Sequence, residues 1–174
     1  MLSSLFKPSP LHAAGLRLLA AVSTVARQPG LFGDGRIPDT MAGRFEAMAL
    51  IGSLAILRLC KSPEAERVAQ VFVDLYFKHL EAGLREAGVG DLSVPKKMKA
   101  IAGAVYGRLA AYEAALEAGD RTALTEALTR NVFSGSPSPF APQLSDYVTT
   151  LWTALVAAPP QALEAPETWP LRSA

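Results

Sequence analysis

From Phe45 to Leu59 the residues Phe45, Met48, Ile51, Leu54, Ile56, Leu57 and Leu59 recur at helical spacing and cover most of the circumference of one helix. Such a helix has no polar face to turn toward water, so it belongs in the middle of a bundle. A bilayer is the other medium that would accept it, and length separates the two cases. The densest run, Ala47 to Leu57, is closed by Arg58 and falls well short of the roughly 20 apolar residues that a span requires. It is a core helix.

The flanking segments read as helices that fit around it. Ser9 is a good N-cap with Pro10 at the first helical position, and Leu11, Gly15, Leu18, Leu19, Val22 and Val25 follow at helical spacing. PGLFGDGRIP, residues 29–38, with three glycines and two prolines, is an ordered loop or a hinge, and the pattern leaves both open. Asp39 or Thr40 caps the central helix. Ser62-Pro63 opens a third, lined by Val68, Val71, Phe72, Leu75, Leu80 and Leu84, with Gly88 at the left-handed position beyond its end.

Ser93 and Pro95 start a fourth helix through Met98, Ile101, Val105, Leu109, Tyr112 and Leu116. Gly103 and Gly107 inside it cost about 1 kcal/mol each relative to alanine, and close packing of a neighbouring helix along a groove shared with Ala110 and Ala114 is the expected compensation; a groove kept open for a partner is the alternative. Gly119-Asp120 gives a stop and restart before a short fifth helix through Leu124, Leu128 and Val132. A last helix carries Leu144, Tyr147, Val148, Leu151, Trp152 and Leu155 and ends at Pro159-Pro160. Alternating runs and internal repeats are missing, so the expectation is an all-α fold, a single compact bundle of about six helices. Its core should span residues 9–158, with residues 1–8 and 164–174 as irregular tails.

Composition narrows the function classes. Lys+Arg 17 against Asp+Glu 16 leaves a net charge of +1, which argues against general nucleic-acid binding. Cys60, in an apolar helical run, reads as a buried structural thiol, consistent with a reducing compartment. The two histidines, His12 and His79, are far apart and have no second cysteine to help them hold zinc. Asp74, Glu81 and Glu86 near His79 are what any charged helix face supplies by chance, so neither metal nor acid-base chemistry is expected there. Pro8, Pro10 and Arg17 break up the N-terminal imitation of a secretory signal. Met1, Leu2, Leu5 and Phe6 read as a frayed end, with contact to a bilayer or partner as the alternative.

The most unusual stretch is LREAGVGDLSVPKKMK, Leu84 to Lys99. Its lysines Lys96, Lys97 and Lys99 stand at the positive end of a helix dipole, a local conflict of the kind found at functional surfaces. A solvated face in which Glu86 and Asp91 partly neutralise the lysines is the plain reading. A docking edge for RNA, an acidic protein or a lipid headgroup is the other. No Arg-aromatic interleaving supports sequence-specific nucleic-acid reading. The glycines Gly83, Gly88 and Gly90 close a helix instead of opening one, so they do not form a phosphate cradle.

Two blocks carry a resemblance. IPDTMAGRFE, Ile37 to Glu46, and LREAGVGDLSVPKKMK, followed by AVYGRLAAYEAAL, Ala104 to Leu116, resemble the ubiquinol-cytochrome c chaperone family over roughly Leu18 to Val132. The resemblance implies a non-catalytic, all-helical assembly factor for the cytochrome bc1 complex, without cofactor, whose client is newly made cytochrome b. Its mitochondrial members act with a small partner protein and associate with the ribosome near the tunnel exit. This chain looks like a bacterial-type member, expected to be cytoplasmic, with peripheral contact at the inner membrane left open as an alternative. The shared blocks nominate Pro38, Asp39, Thr40, Arg44 and Phe45, and Arg85, Gly88, Gly90, Asp91, Lys96, Lys97 and Lys99, for client or partner binding. Two rival readings remain: an enzyme using Asp39, Arg44, Asp91 and Lys96, and a peripheral lipid-binding domain. The chaperone reading expects the two helix junctions to lie near each other in space.

Overall fold

The computed structural model describes residues 9–172. In chain order its α-helices are α1 (Pro10–Ala26), α2 (Met41–Cys60), α3 (Glu66–Glu86), α4 (Val94–Ala118), α5 (Arg121–Val132) and α6 (Ala141–Ala157). Short 3-10 turns occupy Pro29–Leu31, Pro63–Ala65, Pro160–Glu164 and Pro166–Thr168. No strand occurs among the described residues, and an isolated bridge pairs Phe32 with Ile37. The architecture is all-α.

The apolar run of α2 decides the packing. Every residue from Ala47 to Leu59 is buried, and α2 packs against all five of the other helices. Each buried leucine or isoleucine contributes roughly 1.5–3 kcal/mol relative to exposure. Arg58, at the end of the run, is buried too. Its Nε donates to the Leu155 carbonyl and an NH2 to the Ala158 carbonyl, both at 2.7 Å, and another N–H reaches the Ser62 hydroxyl. The cation thereby satisfies the open carbonyls at the C-terminus of α6, where the helix dipole favours positive charge.

Helix ends follow local chemistry where a cap is available. The Ser9 hydroxyl accepts from His12 N at 3.2 Å and the Thr40 hydroxyl from Gly43 N at 3.1 Å. Gly88 and Gly119 take left-handed φ values of 81° and 63° just past α3 and α4. Ser62 does not cap α3: a 3-10 turn intervenes, and its hydroxyl serves Arg58 instead. Ser93 precedes α4 without a capping bond. The 29–38 segment is ordered, with Leu31 and Ile37 fully buried.

Several expectations need correction. In the expected 164–174 tail, the described residues include a second 3-10 turn after Pro160–Glu164; both turns pack against α1, Leu163 and Trp169 are buried in the core, and the indole N–H donates to the Leu163 carbonyl at 3.0 Å. Cys60 is exposed, because it is the last residue of α2, one step past the buried run. Partial burial of its sulfur, with the Glu113 carboxylate nearby, nonetheless pushes the thiol pKa up. Gly103 and Gly107 are not packed by a neighbouring helix; with Ala110 and Ala114 they face solvent, and a methyl at either glycine would meet nothing within 4 Å. The buried face of α4 is the opposite one, carrying Val105, Leu109 and Tyr112. The apolar tip of Met1, Leu2, Leu5 and Phe6 and the 1–8 tail lie outside the described residues.

Candidate functional site

The N-terminus of α2 is held by a tight set of local bonds. The Pro38 carbonyl accepts from Thr40 N at 2.8 Å, and the same carbonyl closes on Gly43, where any added methyl would collide with it. Asp39 is exposed and grips the Arg44 guanidinium with both oxygens, at 2.6 and 3.2 Å. The guanidinium also lies over the Phe32 ring, 5.7 Å from its centre. These contacts fix how Phe45 leaves the helix.

The α3–α4 junction is organised by a second arginine. Arg85 donates to Glu81 at 2.7 Å and to Asp91 at 2.6 Å, tying the turn back onto α3. Gly88 supplies the left-handed residue, and the Gly90 carbonyl accepts from Ser93 N at 2.8 Å. The carboxylate of Asp91 is thus committed to Arg85 and does not neutralise the lysines. Lys96, Lys97 and Lys99 are exposed, and none of them forms an ion pair among the described residues.

The two junctions meet at one cavity of about 680 Å³. Ala26 and Arg27 at the end of α1 contribute to its lining, as do Met41, Ala42, Arg44, Phe45, Glu46 and Met48 of α2. From the last turns of α3 come His79, Leu80, Ala82, Gly83, Leu84, Glu86 and the adjoining Ala87, and from α4 comes Ile101. Small residues in the lining, Ala82 and Gly83 at the end of α3 and Ala87 just past it, leave the space open; a methyl added at Gly83 would meet nothing within 4 Å. Its lining is mostly apolar, with exposed Arg27, Arg44 and Glu86 among it.

Beneath one wall, an Arg108 NH2 donates to both carboxylate oxygens of Glu46 at 2.7 Å, tying α4 to α2. Burial raises the Glu46 pKa, and Arg108 offsets this only in part. The Tyr76 hydroxyl donates to the Met48 carbonyl at 3.2 Å, and burial pushes the Tyr112 phenol up to about 12. His79 has its pKa lowered by burial and then by Arg27, which favours the neutral ring. The mostly apolar lining thus carries its charge at Arg27, Arg44 and Glu86 and in the Glu46–Arg108 ion pair.

Of the nominated residues, Arg44 and Phe45 line the cavity; Pro38, Asp39 and Thr40 position them. Arg85, Gly88, Gly90 and Asp91 shape the neighbouring turn, and the three lysines stand outside the cavity. Asp39, Asp91 and Lys96 lie outside the cavity's lining, with Asp39 bonded to Arg44 and Asp91 to Arg85. Sequence reasoning missed Met41, Glu46, Met48, Ile101 and Arg108 as parts of the site. The usable signal was the small-residue face of α3 beside the apolar start of α2. Among the described residues no group of three or more His, Cys, Asp or Glu could hold a metal ion, and no helix is long and apolar enough to cross a membrane.

The family model described as ubiquinol-cytochrome C chaperone matches residues 34–169. The match begins after Leu18 and continues well past Val132, in keeping with the burial of Leu163 and Trp169 in the same core. Among solved structures, the crystal structure of the Cbp3 homolog from Brucella abortus superposes with a TM-score of 0.81 at 37% identity, covering 96% of this chain and 94% of that one. Comparison with curated proteins gives no match. With most of its length matched and its fold shared along nearly the whole chain, the protein belongs to the ubiquinol-cytochrome c chaperone family.

Proposed function

We propose that this protein is an assembly chaperone of the ubiquinol-cytochrome c reductase (bc1) complex, and that the cavity between α2, α3 and α4 holds an apolar segment of newly made cytochrome b. The observation that carries this reading is the convergence of both junction blocks on one mostly apolar cavity. Its volume suits a few anchoring side chains and not a whole helix. Met41 and Met48 give it unbranched, polarisable walls that adapt to more than one apolar shape. Contact through a few anchors also suits a chaperone, which must let its client go.

Met41 provides the test because it lines the cavity while remaining 67% exposed, so substitution there leaves the core untouched. Met41→Glu places a charge against the apolar client and should lower the cellular level of assembled bc1 complex several-fold, while the purified variant melts at the wild-type temperature. An unchanged bc1 level in that variant would remove the cavity from the chaperone's action.

A further inference from the structure

The α3–α4 turn carries a feature that the client cavity does not use. Residues 85–93 are exposed throughout except for half-buried Val89, and Leu92 at the tip is 100% exposed. A leucine with no contact of its own gains nothing from the fold. Directly after it, Lys96, Lys97 and Lys99 are all exposed in the first turns of α4, spread around the helix beside buried Val94. Arg85 takes up Asp91 and Glu81, so of the nearby carboxylates exposed Glu86 is left against three lysines. Three cations at a helix N-terminus also oppose the helix dipole. An apolar tip with a basic collar has a natural counterpart.

We propose that the Leu92 tip and Lys96, Lys97 and Lys99 form a docking surface for an anionic lipid bilayer. The lysines meet the negative surface potential, and Leu92 enters between the headgroups without needing a shaped pocket. Among these residues there is no aromatic ring on which a nucleic-acid base could stack, which disfavours single-stranded RNA as the occupant. With three lysines and one leucine, the grip is reversible and salt-sensitive. It also orients the molecule. Leu84, Glu86 and Ala87, just before the turn, and Ile101, just after it, line the client cavity, so docking brings that cavity to the membrane surface. The proposal goes beyond the chaperone reading and does not depend on it.

Flotation of the full chain with vesicles of phosphatidylcholine, with and without phosphatidylglycerol, tests the surface directly. The wild type should float with the anionic vesicles and be released by high salt. Lys96→Glu/Lys97→Glu/Lys99→Glu should cut the bound fraction about tenfold or more, and Leu92→Ser should cut it several-fold. Lys78→Glu, an exposed position on α3, should leave binding unchanged. The triple variant places acids where the helix dipole favours them, so circular dichroism should report an intact fold. The proposal is overturned if the triple variant floats like the wild type, if neutral vesicles are bound equally well, or if a single-stranded RNA probe competes the protein off the anionic vesicles through the same lysines.

Discussion

Arg58 illustrates how one side chain is given its role by neighbours that are distant in sequence. In the chain it reads as the charge that ends an apolar run; in the fold it is buried and its N–H groups close the C-terminus of α6 across the core. Arg58→Met keeps the apolar stem and removes the donors, leaving the Leu155 and Ala158 carbonyls without them. The loss should be about 2–4 kcal/mol, read as a lower midpoint in urea denaturation. A midpoint equal to that of the wild type would mean that the α6 end is satisfied by other means. Glu46 and Arg108 make the same point beside the cavity. The partners lie far apart in the chain and neither has a local sequence signature; the packing of α4 against α2 is what pairs them.

At the level of elements, much of the fold could be read from the chain. The six helices, the caps at Ser9 and Thr40 and the left-handed stops at Gly88 and Gly119 rest on near-neighbour chemistry, which the sequence states directly. The errors arose where tertiary partners decide. Ser62 looked like a cap, but Arg58 claims its hydroxyl; Trp169 looked like part of a tail, but the 3-10 turns fold it onto the core. Gly103 and Gly107 looked like a packing groove, yet they occupy the solvent side of α4 with ordinary helical geometry and open space around them. No contact in the monomer offsets their cost. Gly103→Ala/Gly107→Ala should therefore stabilise the isolated protein by about 1 kcal/mol per site, seen as a higher melting temperature. A lower melting temperature would show that the exposed face requires glycine after all.

For the whole molecule, the candidate site was half legible. The blocks around Asp39 and Lys96 could be picked out, and the expectation that their helix junctions approach each other is met at the cavity. What each residue does there depended on packing. Pro38, Asp39 and Thr40 set the angle of α2, Arg44 and Phe45 reach the cavity, and the lysines belong to a separate exposed surface. The central claim is that an apolar client lies in the space between α2, α3 and α4. Photocrosslinking in cells tests it most directly, with the crosslinking residue placed in turn at Met41 and Ala82, which line the cavity and are exposed, and at Val156 on α6 as a control outside the lining. The account predicts adducts with cytochrome b from Met41 and Ala82 and none from Val156. Capture of cytochrome b from Val156 alone, with the cavity positions silent, would contradict it.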